Sequence, residues 1–235
     1  GDDPSAIGSG PTVPDPSTLA QARAIVAKYK LDLPASVSRA LDDASNETPK
    51  PGDPVFARTT FALAARPADC LRAAETAVRA AGYDCIALGA DVEGEARAVA
   101  AAHAKLAREL RAKGACAVIL SGGELTVTMR GQGRGGPNQE YALALAIELD
   151  GQSAMAALAA DTDGTDGGAG NATDPAGALL DGATVARAKA LGLDPAAFLS
   201  QNNSTGFFEA LGDLLVSGPT YTNVNDFRAI VVDRP

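Results

Sequence analysis

The sequence predicts an α/β protein, a three-layer α/β/α arrangement around a mixed, partly parallel sheet. Three observations lead there. Strand-like and helix-like stretches alternate between residues 55 and 120, the order of a parallel core with helices outside. Residues 115–120 are continuously apolar, as in a strand covered on both faces. Residues 125–129, LTVTM, alternate and follow that run after little more than the turn Gly122–Gly123. A connection so short permits a hairpin but no parallel crossover, so the sheet should be mixed.

The elements follow in order. Residues 1–18 read as loop, punctuated by Pro4, Pro11, Pro14 and Pro16. Ser17 or Thr18 can cap a helix to about residue 30, and Pro34 opens a second to about residue 44. The polar, proline-rich stretch 45–54 reads as a linker, dividing the chain into 1–54 and 55–235. Residues 55–64 look strand-like. Residues 67–81 carry Leu71, Ala74 and Val78 at helical spacing, and Gly82 ends the helix. A strand over 83–88, a helix over 93–113 stopped by Gly114, and the strand 115–120 come next. Beyond 125–129, helices are expected over 138–149, 182–191, 195–199 and 205–211. Strands are expected over 154–160, 214–217 and 227–232.

Composition narrows the function. The chain has 235 residues, a net charge of −9, 46% hydrophobic residues and only 4% aromatics, so its core should be built from small aliphatics. The negative charge argues against a nucleic-acid surface. No apolar run approaches the roughly 18 residues of a membrane span, so no membrane partner is expected; the cysteines, read next, are what point to a cytoplasmic location. Cys70, Cys85 and Cys116 stand singly and read as small buried residues in a reducing compartment. His103, the one histidine, lies among Ala, Lys, Arg and Glu and reads as a surface residue. Histidine-based nucleophile schemes are thereby set aside. The loop-like opening at Gly1 reads as the interior of a longer protein.

The densest chemistry lies in SGGELTVTMRGQGRGGPNQE, residues 121–140. Gly133, Gly135 and Gly136 let backbone N–H groups approach an anion, Arg134 adds a planar charged fork, and the helix beginning near Asn138 adds its positive end. Arg134 and the amides of 135–139 are therefore expected to seat a phosphate or carboxylate. GQGRGG also satisfies G-x-G-x-x-G, but Arg134 sits where that loop should hug a pyrophosphate, and the strand before it reads as antiparallel. Glu124 has no cap or pair to explain it, whereas Asn138, Gln139 and Glu140 could simply cap the helix.

A second loop, DTDGTDGGAGNATD, places Asp161, Asp163 and Asp166 at a strand's C-terminal end, where ligand sites of open α/β sheets gather. Such carboxylates can hold magnesium or take a proton from a hydroxyl. A calcium loop is disfavoured because its twelfth position is Ala172. A third loop, 218–227, offers Thr220, Asn223 and Asn225 as neutral hydrogen-bonding groups, while Asn202, Asn203 and Ser204 read as a helix cap. Near the start, Asp2 and Asp3 with Ser9, Gly10 and Thr12 again join carboxylates to a glycine turn.

Taken together, SGGE, GxGRGGxNQE, TDGxDG and NNSxGFFEALGDLLVSGPTxTNVNDF resemble the C-terminal MOFRL domain of glycerate 2-kinases, over about 115–233. Members of that family have also carried the name hydroxypyruvate reductase. GDDPSAIGSGPTVPDP looks like the end of the family's N-terminal kinase domain, which makes 1–54 the tail of a Rossmann-like domain plus linker. The resemblance implies a two-domain enzyme that moves the γ-phosphoryl of ATP, with Mg2+, onto the C2 hydroxyl of D-glycerate. It implies catalytic roles for Glu124, Arg134 and Asp163. Gly133, Gly135, Gly136, Asn138, Ser9, Gly10, Thr12 and Asn225 become nucleotide-side candidates, and Asp166, Asp2 and Asp3 metal-side ones. Asp161 stands where the family often has glycine and ranks below Asp163. An absent N-terminal domain would be needed to complete the site, and the oligomeric state stays open, a homodimer included. The alternatives are an NAD(P)H-dependent hydroxypyruvate reductase and a non-catalytic ligand-binding module.

Overall fold

A computed structural model describes residues 3–7, 10 and 12–234. Asp2 and Ser9 lie outside the described residues. The chain forms two compact units, one running to Ala64 and one beginning at Ala65.

The first unit contains α1 (Leu19–Tyr29) and α2 (Ala35–Asp42). A reciprocal cap starts α1: Gln21 N–H donates to Thr18 Oγ1 at 3.2 Å, and Thr18 N–H donates to Gln21 Oε1 at 2.8 Å. The expected strand over 55–64 does not form. The chain there makes a 3-10 turn at Pro54–Phe56 and then runs irregularly, because the first unit contains no described strand for it to pair with.

In the second unit six strands are ordered β1-β3-β8-β5-β6-β7. Here β1 is Asp84–Ala87, β3 Ala117–Ser121, β5 Met155–Asp161, β6 Gly177–Asp181, β7 Leu214–Leu215 and β8 Asp226–Val232. β1 and β3 run parallel, as the alternation of elements implied. β8 lies between β3 and β5 and is antiparallel to both. α3 (Pro67–Ala80) covers one face, where Leu71 packs with Val118 and Leu120. α4 (Ala96–Ala112) and α5 (Pro137–Glu148) cover the other, where Ile119, Ile230 and Val232 join the main core. α6 (Thr184–Ala190), α7 (Pro195–Ser200) and α8 (Ser204–Leu211) complete that layer. Three layers result.

The sheet is mixed, but not through the expected hairpin. β4 (Leu125–Thr126) leaves the main sheet and pairs parallel with β2 (Gly94–Glu95), Gly94 opposite Leu125. Gly123 explains the departure. It has a φ of 94°, and a Cβ there would overlap the backbone of Asp91 and Val92, so the chain bends where only glycine fits. β6 was not anticipated. Its five residues between glycine- and aspartate-rich turns carry no long apolar signal.

His103 corrects another expectation. It is buried, its Nδ1 lies 2.9 Å from the Tyr141 hydroxyl, and burial, then the nearby Arg228 charge, lower its pKa to about 4. The three cysteines are half-buried and free.

Candidate active site

Strand order brings distant parts of the chain to one end of the sheet. β3 ends at Ser121 opposite Arg228, and β5 ends at Asp161 opposite Asp226. α5 begins at the same end and is buried from Asn138 through Ala146. The loops after β3 and β5 and the one before β8 therefore converge there, the usual ligand position of open α/β sheets.

The glycine loop is extended and pressed between two backbones. A Cβ on Gly131 or Gly133 would overlap Gln201 or Asn203, one on Gly135 the Ser204 hydroxyl, and one on Gly136 Asp166. Gly133 N–H donates to Gln201 O at 2.9 Å, and Arg134 N–H to Asn203 Oδ1 at 3.2 Å. Close packing thus demands these glycines. β4 ends at Thr126, well before α5 begins at Pro137, which is no dinucleotide strand–turn–helix.

The first turn of α5 is already capped by an anion from within the chain. Asp166, 3% exposed, accepts Asn138 N–H and Gln139 N–H at 3.0 and 2.8 Å. It also accepts both side-chain amides, Asn138 Nδ2 at 3.3 Å and Gln139 Nε2 at 3.0 Å. Burial raises its pKa to about 6 despite these donors. The Asn138 and Gln139 amides, expected to seat a phosphate, therefore hold Asp166, and Asp166, expected near a metal, has both oxygens engaged. Among the described residues the N–H groups of Gly135 and Gly136 donate no hydrogen bond; Gly135 is exposed and Gly136 buried. Both glycines line a hollow of about 160 Å³, together with Val127, Met129, Pro137, Glu140, Gly167 and Asn202. Arg134 extends beside this loop, its side chain 68% exposed and paired with Glu209 at 2.6 Å.

Asp161 and Asp163 lie together. Asp163 N–H donates to Asp161 Oδ1 at 3.0 Å, and Asp163 Oδ1 accepts Thr165 N–H at 2.9 Å. Burial raises the Asp161 pKa to about 7; the Asp163 N–H opposes the rise, and the Asp163 and Asp226 charges add to it. The third loop closes over the second. Thr220 N–H donates to Asp163 O at 3.0 Å and Asn223 Nδ2 to Asp163 Oδ2 at 3.4 Å, while Asn225 O accepts the Thr162 hydroxyl at 2.7 Å. Glu124 is exposed and has no hydrogen-bond partner among the described residues. In the first unit Asp3 Oδ1 accepts Ser5 N–H and Ser5 Oγ, both at 2.8 Å, Gly10 adopts a φ of 54°, and Thr12 is exposed.

Beneath these loops runs a buried polar network that sequence reasoning missed. Asn138 Nδ2 donates to Asp226 Oδ1 at 2.6 Å, and Arg228 Nη1 to Asp226 Oδ2 at 2.8 Å. Gln139 Oε1 accepts the Thr205 hydroxyl at 2.7 Å. Glu140 is held by Arg97 Nε at 2.6 Å and Asn202 Nδ2 at 3.1 Å. A signal existed: in DFRAIVV, Asp226 and Arg228 share the inward face with Ile230 and Val232. Two opposite charges on a buried face must find each other.

No three acidic, histidine or cysteine side chains converge as a metal cage among the described residues. Magnesium arriving on phosphates needs only one or two carboxylates, a condition that the unpartnered Glu124 meets. For a nucleotide, the exposed Arg134 guanidinium fits a phosphate, and the Gly135 and Gly136 N–H groups donate to no described residue.

The MOFRL family matches residues 117–226, and a domain of unknown function, DUF4147, matches residues 1–42. A glycerate kinase of Macaca fascicularis is 31% identical over 96% of this chain and 68% of its own. The chain belongs to the glycerate kinase family. Glycerate kinase of Thermotoga maritima has a crystal structure that superposes with a TM-score of 0.82 at 33% identity, covering 98% of this chain and 54% of that one. A D-glycerate 2-kinase of the same organism is 35% identical over 96% of this chain and 52% of its own. An Agrobacterium vitis protein provisionally named hydroxypyruvate reductase is 48% identical over 99% of this chain and 52% of its own. The chain thus spans about half the length of several of its curated relatives. No helix is long and apolar enough to cross a membrane.

Proposed function

We propose that this chain is part of a kinase that transfers the γ-phosphoryl of ATP to the C2 hydroxyl of D-glycerate, giving 2-phosphoglycerate. The reading rests on one observation above all. An exposed arginine on a glycine-rich loop and a half-buried carboxylate pair occupy one end of the sheet in a member of the glycerate kinase family. Phosphoryl transfer is mainly positioning and charge neutralisation, and these groups suit both tasks.

In this scheme Arg134 exchanges Glu209 for the phosphoryl group or the glycerate carboxylate, joined by the Gly135 and Gly136 amides. Asp163 orients the C2 hydroxyl and takes its proton. The pKa of its neighbour Asp161 is raised to about 7, chiefly by burial. Asn223 and Asn225 hold the Asp163 loop in place. Glu124 would hold magnesium, which when bound would neutralise charge on the phosphates. Gly133 and Asn138 act as supports, since their amides are already engaged. Ser9, Gly10 and Thr12 on the nucleotide side, Asp2 and Asp3 on the metal side, and the need for a further domain rest on the family resemblance, and a cytoplasmic location on the unpaired cysteines.

The test is ADP release from ATP and D-glycerate by the full-length protein, with product fed directly to enolase, which consumes 2-phosphoglycerate. Glycerate-dependent turnover that falls by about 10² or more in Asp163→Asn is expected. Oxidation of NAD(P)H by hydroxypyruvate without ADP release would overturn the proposal. The 235 residues alone are expected to turn over poorly.

A further inference from the structure

We propose that Arg228 is a positioning residue for this site, a buried guanidinium that ties the Glu124 turn to the N-terminus of α5. The inference rests on the phosphotransfer reading above but draws on different residues. Arg228 is 1% exposed, although arginine is almost never buried so completely without several partners. Its Nε donates to Ser121 Oγ at 3.1 Å, its Nη1 to Asp226 Oδ2 at 2.8 Å, and its Nη2 to Gly122 O. The guanidinium carbon stands 5.7 Å from the Tyr141 ring centroid.

Each partner belongs to a different part of the site. Ser121 and Gly122 lead into the turn that carries Glu124, and Asp226 N–H donates to Gly123 O at 3.1 Å, a second tie to that turn. Asp226 passes the constraint on, since its Oδ1 accepts Asn138 Nδ2 at 2.6 Å, and Asn138 in turn is fixed on Asp166. One planar fork therefore sets the glycine turn, the start of α5 and, through Asp166, the loop beginning at Asp161. A lysine could carry the charge but cannot reach Ser121, Gly122 and Asp226 in three fixed directions.

A merely structural buried pair would affect stability alone. A positioning residue should lower kcat in a folded protein, because groups aligned only in the transition state are the first to suffer from small displacements. The experiment uses the full-length protein as wild type, Arg228→Lys and Arg228→Ala. Arg228→Lys, shown folded by circular dichroism, should lose about 100-fold in kcat while KM for D-glycerate changes by less than about threefold. In Arg228→Ala, millimolar guanidinium should raise kcat about tenfold, whereas urea at the same concentration should not. Independently of activity, amide exchange should accelerate at least about tenfold at residues 122–125 and 138–140 in Arg228→Lys, and stay unchanged in α6. Exchange unaltered at both places overturns the inference even if the wild type proves inactive. So does a folded Arg228→Lys with wild-type kcat. A wild type without glycerate-dependent ADP release, but with the exchange result as expected, would sink the kinase reading and leave the tie between turn and helix standing.

Discussion

The two compact units of this chain carry apolar residues to different ends. In the first, none of the described residues is buried: Ile25, Tyr29, Leu31 and Val37 are all 42% exposed or more. In the second, a core from Ala96 to Val232 closes around α5, and even the charged Asp166, Asp226 and Arg228 lie inside it. Both units have capped helices. The difference teaches that a good cap and helical spacing favour a helix but do not by themselves bury its apolar face. A helix of 11 residues is marginal in water until another layer covers its apolar face. The second unit has that layer on both sides of its sheet.

The comparison can be broken most directly by cutting the chain at Ala64. Residues 65–235 alone should melt cooperatively, near the temperature of the whole chain, whereas residues 1–64 alone should show no cooperative melt by circular dichroism. A cooperative transition in the short piece would erase the contrast. Within the second unit the largest single effect should come from Asp166→Ala, which orphans the two buried backbone N–H donors of Asn138 and Gln139 at the start of α5 and should cost about 3 kcal/mol in urea unfolding. A loss under about 1 kcal/mol would mean that water replaces the cap. Gly133→Ala should cost less, about 1–3 kcal/mol, by forcing residues 201–203 away from the loop.

A pH titration sharpens the same contrast. The folded His103 pKa is depressed from 6.5 to about 4, so the unfolded chain binds the extra proton between those values. That term removes stability as pH falls from about 6.5 to about 4. Asp161 and Asp166 act oppositely, because their folded pKa values are raised from 3.8, to about 7 and about 6. They bind protons in the folded state first and add stability as pH falls across the same range. His103→Gln should therefore make the chain gain more stability on acidification than wild type does. An unchanged difference between pH 7 and 5 would refute the burial of this histidine. The smallest effect is expected in the first unit, where, in the 235 residues alone, Ile25→Ser at an exposed position should shift stability by less than about 0.5 kcal/mol.

Much of the second unit's local structure was legible. α3 and α4 announced themselves by spacing and by closing glycines, β3 by its unbroken apolar run, and β5 and β8 by short apolar stretches. The candidate site was legible as three loops, because clustered glycines, carboxylates and an arginine stand out in the sequence whatever the fold around them. Less visible was how the groups are spent. Nothing near Asp166 in sequence says that it caps a helix some thirty positions earlier. The hairpin expected at Gly122–Gly123 followed correctly from loop length, yet the close approach of Asp91 and Val92 at Gly123 overruled it. His103 looked like a surface residue because its neighbours along the chain are polar, while its neighbours in space are Tyr141 and Arg228.

The sequence by itself determined the α/β class, the helices of the larger unit, the parallel start of its sheet and the motif series that ties it to glycerate kinases. These are properties of short windows, where side-chain periodicity and backbone freedom act over a few residues. Only the tertiary structure decided that β8 inserts between β3 and β5, that Asp166 occupies the seat at the start of α5, and that Arg228 joins turn to helix. Each of those depends on pairing groups far apart in the chain. A buried donor or charge accepts whichever partner the closed core brings within hydrogen-bond distance, and no local pattern specifies that partner.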